Sequence, residues 1–363
     1  MRIVILILLF ISFNSQAQIV HSIFGQFDEQ NPVAIELLNS AALQRLKGID
    51  QSGPSIYFSK DYASFSRYDH SIGVYALLKR YNVTTKEQIA GLMHDTSHTV
   101  FSHLADSIMQ TKENRIESYQ DSIHDWFLTK SGVLSIINKY NLSLLDLSPK
   151  NPAYTALEQS FPDMNADRIE YNLHTALIFN DLNPSDIDQI LNALHFQNDK
   201  WFFTDINQAK KFAKLSTYYT RNFWGSHDNT ALYVITGTAL KYAIDHDIVN
   251  LSDLHFGVDQ DVVNILKNSK DPILKSLIKI SNNITEHYIR GTPNDFHIHN
   301  PVKMRGIDPL VLQNGNLVRL SSLSIDYKQE LQTTTELSKQ GVYLKFINID
   351  NPELLNIITK TLG

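Results

Sequence analysis

Apolar residues recur at three- and four-residue steps along most of the chain beyond residue 66, a spacing typical of amphipathic helices. This pattern predicts helices over residues 71–80, 85–95, 102–109, 119–129, 164–180 and 230–245. Asn31-Pro32 and Asn351-Pro352 predict the starts of two further helices, because Asn caps a helix and Pro suits its first position. Most of the chain is therefore expected to be helical.

Short β-rich segments flank this helical region. Residues 19–27 predict a strand or hairpin, and residues 317–320 and 342–346 predict strands in a stretch that Gly and Pro interrupt. The chain has no internal repeat and no Pro-rich linker, so the expected domain division is soft. We expect residues 18–265 to form a helical core and residues 266–363 to form a mixed α+β region.

The first 17 residues have the pattern of a secretory signal peptide. Arg2 precedes an apolar run from Ile3 to Ile11, and residues 15–17 supply small side chains at alternate positions. The run is short for a membrane-spanning helix, although an uncleaved anchor or a buried first strand would share its apolar character. Cleavage after Ala17 would give a mature chain that starts near Gln18, secreted or periplasmic, with no membrane span.

The composition narrows the chemistry that a site can use. Of 363 residues, 43 % are hydrophobic, which allows a sizeable core and excludes a largely disordered chain. The formal net charge of −6 argues against stable, non-specific binding of nucleic acid. The chain has no cysteine, which excludes disulfides, thiolate metal sites and cysteine nucleophiles. Any metal must therefore be held by His, Asp or Glu.

Four residues have the placement expected of metal ligands. His94 and Asp95 end the predicted 85–95 helix, where neighbouring side chains can converge on one cation. His70 continues the apolar stripe of the next predicted helix upstream, and a buried polar ring needs a partner. Asp167 shares a helix face with Tyr171. Singly, such residues are commonly hydrogen-bonded core histidines or helix salt bridges; together they form an N/O set that suits Mn, Fe, Zn, Co or Mg.

Further histidines follow this set. His98 lies one turn beyond His94, and the poor helix formers at residues 96–99 predict a break that would bring His103 back towards them. His103 and Asp106 are i, i+3 neighbours, and a carboxylate beside an imidazole raises its pKa and orients it. A charged imidazole near a phosphate would suit the general acid of a hydrolysis reaction.

Two other histidine sequences give different predictions. His124-Asp125 repeats the pairing of an imidazole with a carboxylate, with an exposed helix face as the alternative explanation for His124. His297 and His299 have no nearby carboxylate except Asp295, so we expect a solvated loop there rather than a second metal site.

The order and spacing of these residues resemble the HD-domain phosphohydrolases, and most of all their deoxynucleoside triphosphate triphosphohydrolase branch. Three stretches carry the resemblance: residues 66–74 (SRYDHSIGV), 94–103 (HDTSHTVFSH) and 167–171 (DRIEY). It covers about residues 19–180, with a weaker trace to about 265. The departures are Thr99-Val100, where the branch has Gly-Pro, and His174-Thr175, in place of residues that help to hold the nucleotide.

The resemblance implies a mainly α fold, with an HD-domain helical core, short N-terminal strands and a mixed α+β C-terminal region. It implies one divalent metal ion, held by His70, His94, Asp95 and Asp167. It implies a catalytic group around the phosphates that comprises His98, His103, Asp106 and His124, with His103 protonating the leaving oxygen. The implied substrate-binding residues are Gln51, Arg67, Arg168, Tyr171 and Trp224.

The leading hypothesis is an exported, metal-dependent phosphohydrolase that acts on small-molecule nucleotides, with a triphosphohydrolase-like reaction as the first expectation. Two alternatives stay open: hydrolysis of a phosphomonoester or phosphodiester of another substrate, and a non-catalytic HD-type module that binds or senses a nucleotide. The presence of His98, His103 and Asp106 favours catalysis, because a pure binder has no need of an acid. A homo-oligomer also stays open.

Overall fold

The polypeptide is mostly helical, as its periodicity predicts. The computed structural model describes residues 17–60, 62–109 and 118–361, so the predicted signal peptide, except for Ala17, lies outside the described residues. The helices before residue 200 are α1 (Pro32–Leu38), α2 (Ala41–Arg45), α3 (Ser55–Phe58), α4 (Arg67–Arg80), α5 (Thr85–Met93), α6 (Leu104–Ile108), α7 (Tyr119–Lys130), α8 (Val133–Asn138), α9 (Leu144–Leu147), α10 (Ala166–Ile178) and α11 (Pro184–Ala193).

The second half of the chain continues this helical pattern. A π-helical turn, Thr220–Trp224, follows the first helix of this half, and short 3₁₀ turns occur at Leu46–Gly48 and Ile284–Glu286. Among the described residues, no helix is both long enough and apolar enough to cross a membrane. The helices are α12 (Ile206–Tyr219), α13 (His227–Asp245), α14 (Leu251–Phe256), α15 (Asp259–Asn268), α16 (Pro272–Asn282), α17 (Leu320–Leu323), α18 (Ile325–Gln340) and α19 (Pro352–Thr361).

In the part of the chain that the structure describes, short strands form three small sheets. The strands are β1 (Gln18–Ser22), β2 (Gly25–Glu29), β3 (Leu194–Gln197), β4 (Lys200–Phe203), β5 (Tyr288–Arg290), β6 (Ile298–Asn300), β7 (Leu310–Gln313), β8 (Asn316–Arg319) and β9 (Val342–Phe346). β1 and β2 form the predicted N-terminal hairpin, β9 lies between β5 and β6, and the third sheet has the order β3-β4-β7-β8. β4 pairs with β7 in parallel, so one sheet joins segments from both sides of residue 265. The domain boundary at that residue stays a prediction.

The histidines of the C-terminal region lie in a different setting from the expected loop. His299 belongs to β6, and its ring stacks on Tyr343 of β9 at a centroid distance of 4.1 Å. The Nδ1 atom of His297 accepts a hydrogen bond from the backbone N–H of Phe346 at 2.9 Å. Pairing with β9 orders this segment, which the short run of polar residues did not reveal.

Helix α4 lies between the two hydrophobic clusters of the core. Ile72 and Tyr75 pack into one cluster, while Val74, Leu77 and Leu78 pack into the other. A helix buried on both sides keeps its side chains in fixed positions, because close-packed interiors leave little room for rearrangement. A capping box at Ser66 fixes the start of the helix. His70, one turn further along, is therefore held inside the molecule.

The segment between α5 and α6 is held by side chains from distant parts of the chain. The guanidinium of Arg45 donates to the carbonyl oxygens of Thr96 and His98 at 2.9 and 2.5 Å. The carboxylate of Asp259 accepts the backbone N–H of Phe101 at 2.7 Å and that of Asp50 at 2.9 Å. These bonds fix the non-helical path that interrupts the helix after Met93, as the sequence of residues 96–99 predicts.

Replacing Asp259 with Ala should reduce the free energy of unfolding by about 2 kcal/mol, because two largely buried N–H groups lose their acceptor. Urea titration followed by circular dichroism measures this difference. Asp261 lies exposed on the first turn of the same helix and provides the matched control, Asp261→Ala. Equal unfolding midpoints for the two variants would contradict a structural role for Asp259.

Candidate metal centre and substrate cleft

Three of the predicted metal ligands converge at one point. Ligand atoms of His70, His94 and Asp167 all lie within 4.8 Å of one another. The Nε2 atom of His70 is 2.9 Å from Oδ1 of Asp167, and Nε2 of His94 is 3.8 Å from the same oxygen. Both imidazoles are buried, whereas the carboxylate of Asp167 is 31 % exposed. The site is therefore buried at the two imidazoles and open to solvent at the carboxylate of Asp167.

In both imidazoles, the hydrogen bond of Nδ1 leaves Nε2 as the nitrogen that can bind a metal. Nδ1 of His94 donates to the carbonyl oxygen of Gly91 at 2.7 Å. Nδ1 of His70 is hydrogen-bonded to the carboxylate of Glu170. With Nδ1 committed in both rings, the Nε2 atoms face the centre, and Nε2 of His94 is buried without a hydrogen-bond partner among the described residues. A His–carboxylate pair of this kind commonly orients a ligand behind a metal, so the site fits a divalent cation.

The carboxylates around these rings favour positive charge at the site. Burial lowers the pKa of His70, but the carboxylates of Glu170 and Asp167 outweigh it and raise this pKa to about 10. Burial likewise opposes ionisation of Asp167, yet its contacts with His70 and His94 hold the pKa of its carboxyl group well below its usual range. The anionic groups stabilise positive charge here, whether carried by protons or by a metal.

The fourth predicted ligand, Asp95, lies beside this group. Its Oδ1 atom is 3.4 Å from Nε2 of His94, and its Oδ2 atom is 3.8 Å from Nε2 of His70. Oδ2 also accepts a hydrogen bond from the guanidinium of Arg67 at 2.5 Å. The buried ion pair places the guanidinium of Arg67 next to the carboxylate of Asp95. The ligand role of Asp95 stays a prediction.

The predicted catalytic residues divide between two places. The rings of His98 and His103 meet edge to face at a centroid distance of 4.9 Å, and Nδ1 of His103 is 3.0 Å from the carboxylate of Asp106. His124 lies on α7, and its Nδ1 atom is 2.9 Å from the hydroxyl of Ser97 in the turn between α5 and α6. The structure therefore brings His98, His103 and Asp106 together, and it gives His124 a contact with the supporting turn.

His103 lines a cleft that opens to solvent. The empty space of this cleft, with the open solvent at its mouth included, is about 910 Å³. Of the predicted substrate-binding residues, Gln51, Tyr171 and Trp224 also line this cleft. The rings of Tyr171 and Trp224 meet edge to face at 5.3 Å, and Tyr171 lies near His70 of the metal centre, at a ring-centroid distance of 6.4 Å. One residue of the cleft wall, Tyr171, therefore lies beside a predicted metal ligand.

The two predicted phosphate-binding arginines are engaged within the protein. Arg67 is buried, and besides its bond to Asp95 its Nε atom donates to the hydroxyl of Ser102 at 2.7 Å. Arg168 donates to the backbone carbonyl of Asp163 at 2.8 Å. Neither belongs to the lining of the cleft. Their substrate-binding roles stay predictions.

The sequence reasoning missed Glu170 and two cations of the cleft, Lys303 and Arg305. A signal for Glu170 existed, since it lies four residues before His174 on one helix face, and the two side chains are hydrogen-bonded at 2.8 Å. A Cβ atom at position 73 would clash with the carboxylate of Glu170. Gly73 therefore leaves room for this carboxylate between α4 and α10. Lys303 and Arg305 lie far along the chain and carry no comparable local pattern.

Comparison with known proteins adds independent information to this geometry. No protein-family model matches the chain. The protein YdhJ of Bacillus subtilis, described as uncharacterized, is 33 % identical over 327 residues, which cover 90 % of this chain and 98 % of YdhJ. The metal-dependent phosphohydrolase cns2 of Cordyceps militaris is 26 % identical over 301 residues, covering 81 % of this chain and 84 % of cns2.

Two further similarities concern shorter or more distant matches. The deoxynucleoside triphosphate triphosphohydrolase SAMHD1 of Xenopus laevis is 30 % identical over 138 residues, which cover 32 % of this chain and 22 % of SAMHD1. The crystal structure of a phosphohydrolase from Bacteroides thetaiotaomicron covers 85 % of this chain and 95 % of its own, with a TM-score of 0.63 at 15 % identity. That likeness shows a shared fold.

These relatives and the His/His/Asp centre define the class of protein: the chain belongs to the HD-domain phosphohydrolases, in a family with YdhJ. It is a hydrolase, and its cofactor is a divalent metal ion. The link to the triphosphohydrolase branch is distant, because the match to SAMHD1 covers only a third of the chain.

The metal centre leads to a prediction about Glu170. Purified protein should carry about one divalent metal ion per chain, and Asp167→Ala should remove it. Glu170→Gln should weaken metal affinity by about 10- to 100-fold, because the amide no longer fixes the Nδ1 proton of His70. Metal analysis after dialysis against graded chelator measures both effects. Glu336 is exposed on α18, so Glu336→Gln is the control; equal retention of metal in the two Gln variants would refute the role of Glu170.

Proposed function

We propose that the protein hydrolyses phosphate esters or anhydrides of nucleotides, with a triphosphohydrolase-like reaction on deoxynucleotides as the leading candidate. The observation that carries this proposal is the cleft itself, in which His103, Tyr171 and Trp224 share one wall next to the metal centre. An aromatic wall suits a nucleobase or sugar, and the centre suits a phosphoryl group. The match to SAMHD1 supports a nucleotide substrate.

Each residue has a task that its position supports. The four proposed ligands, His70, His94, Asp95 and Asp167, hold a divalent cation, which when bound polarises a phosphoryl oxygen and orients water. Glu170 keeps the Nε2 atom of His70 available for this purpose.

His103 is the proposed general acid. Asp106 accepts a hydrogen bond from its Nδ1 atom, which orients the ring and leaves Nε2 to deliver a proton. Burial and the nearby charges of Arg67 and Arg305 lower the pKa of His103, while Asp106 opposes this shift. The negative charge of a bound phosphate would act in the same direction as Asp106, so the protonated form is favoured when substrate is present.

Hydrolysis of a phosphomonoester or phosphodiester is the second candidate, and one observation favours it. Arg67 uses two of its nitrogen atoms for Asp95 and Ser102, and the third, Nη2, is buried with no hydrogen-bond partner among the described residues. Arg168 donates to the carbonyl oxygen of Asp163, and neither arginine lines the cleft. A triphosphate needs several cationic partners. A substrate with a single phosphoryl group needs fewer of them.

We also propose that the protein is exported and acts outside the cytoplasm. The support is the sequence pattern of residues 1–17, which resembles a cleavable signal peptide. N-terminal sequencing of protein from its native host tests this proposal. A first residue near Gln18 is expected, and an intact Met1 would refute export by this route.

A panel of nucleotides distinguishes the two candidate reactions by their products. The metal-loaded enzyme should release tripolyphosphate and a nucleoside from a deoxynucleoside triphosphate if the leading candidate holds. Release of orthophosphate from a nucleoside monophosphate, with triphosphates left intact, would select the second candidate. Chromatography of the products measures both reactions, and a chelator-treated sample is the control. No phosphate release from any nucleotide of the panel would refute the proposal.

His103→Ala should bind metal normally but turn over about 10²- to 10⁴-fold more slowly, the usual contribution of a general acid. Asp106→Asn should have a smaller effect, because the ring remains. Activity should fall as pH rises through the pKa of His103, and Asp106→Asn should shift this limb to lower pH, since Asp106 raises that pKa.

A substrate with a good leaving group provides the control for this role. A nitrophenyl phosphate ester needs little protonation of its leaving oxygen, so the defect of His103→Ala should shrink markedly on it. An equal defect on the nitrophenyl ester and on a nucleotide would mean that His103 acts in binding or structure.

A further inference from the structure

Residues 301–309, between β6 and β7, form the part of the cleft wall that the family resemblance does not cover. Lys303 and Arg305 belong to this segment, and both line the cleft with His103. The guanidinium of Arg305 lies 5.8 Å from the ring centroid of Tyr171 and 5.6 Å from that of Trp224. The segment thus places two cations against the same aromatic wall that leads to the metal centre.

The segment is anchored at the end that follows the two cations. Ile307 is fully buried, and its N–H donates to the hydroxyl of Ser216 at 3.3 Å. The backbone N–H of Asp308 donates to the carbonyl oxygen of Pro162 at 3.0 Å. Before the cations, Asn300 pairs with Val342 in the β6–β9 ladder. Because both flanks are held by the fold, Lys303 and Arg305 are presented to the cleft without a large entropic cost.

Within the described parts of the chain, neither Lys303 nor Arg305 forms a salt bridge, and no carboxylate is among the residues that line the cleft. Repulsion from Arg305, followed by burial, lowers the pKa of Lys303, and attraction to Asp106, Asp167 and Asp121 opposes this shift only in part. Two neighbouring cations that repel each other are stabilised by a shared anion.

We propose that Lys303 and Arg305 bind phosphate oxygens of the substrate and so select phosphorylated ligands over uncharged ones. This inference rests on the proposed function, in that it takes a nucleotide as the ligand. Lys303 supplies a point charge and Arg305 a planar fork that matches two phosphate oxygens. The cation–π contacts of Arg305 with Tyr171 and Trp224 hold its guanidinium against the aromatic residues of the cleft. Recognition of the phosphate is thereby assigned to a different part of the chain from the metal ligands.

Binding measurements on the metal-loaded full chain test this inference without requiring turnover. The charged probes are the analogues of dAMP and dATP that carry sulfur on the α-phosphorus, which slows hydrolysis. The uncharged probe is deoxyadenosine. Calorimetry should show that Lys303→Gln and Arg305→Gln each weaken binding of the charged probes by about tenfold, since hydrogen bonds to charged groups are lost. Deoxyadenosine should bind Lys303→Gln as it binds the parent protein. Arg305→Lys should recover only part of the loss.

Two controls keep the interpretation specific. Lys339 is an exposed cation on α18 outside the cleft, so Lys339→Gln should bind all probes like the parent protein. Metal content and circular dichroism of each variant should be unchanged, which separates loss of binding from loss of folding. A parent protein that binds neither charged probe would overturn the inference.

The remaining outcomes separate this inference from the proposed function. Unchanged binding of both charged probes in the Lys303→Gln/Arg305→Gln double variant would overturn the inference, even if the parent protein hydrolyses nucleotides. Charge-dependent binding with no phosphate release from any nucleotide would support the inference as a binding site and refute the hydrolytic proposal.

Discussion

The geometry of the candidate metal centre depends on one hydrogen bond, between the carboxylate of Glu170 and Nδ1 of His70. It crosses the contact between α4 and α10, and the absence of a side chain at Gly73 makes room for it. Because Asp167 is one turn before Glu170, the same crossing sets the orientation of one proposed ligand, His70, and the position of another, Asp167. A buried carboxylate is stable here only because His70 and His174 both contact it, so the bond links folding to the function of the centre.

The residues that the sequence revealed are those whose polarity conflicts with their position. His70 lies on an apolar stripe, and His94 ends an apolar helix, so each needed a partner that the core alone does not supply. Such conflicts are local and can be read from spacing. The N-terminal hairpin, the long helices and the break after Met93 followed from local signals of the same kind. Contacts between distant segments modify such local signals: Thr84 caps α5, but Glu87 accepts the backbone N–H groups of Ala156 and Leu157 instead of completing a capping box.

The features that the sequence did not reveal depend on contacts between distant segments. Asp259 supports the turn at Phe101 from 158 residues away. The parallel pairing of β4 with β7 and the placement of Lys303 in the cleft are likewise long-range. Nothing in the composition of residues 301–309 marks them as part of an active site, since a surface loop would contain the same residues. The engagement of Arg67 by Asp95 could not be read from the sequence either, because spacing alone fits a phosphate contact equally well.

The late position of residues 301–309 has a consequence for how the protein is made. Synthesis proceeds from the N-terminus, so the segments with His70, His94 and Asp167 leave the ribosome well before Lys303 and Arg305. A nascent chain that has reached residue 200 contains the three converging ligands but lacks one side of the cleft. On the proposed roles, metal binding therefore depends on early segments of the chain and substrate recognition on a late one, so a chain that ends before residue 301 lacks the two cations that select the substrate.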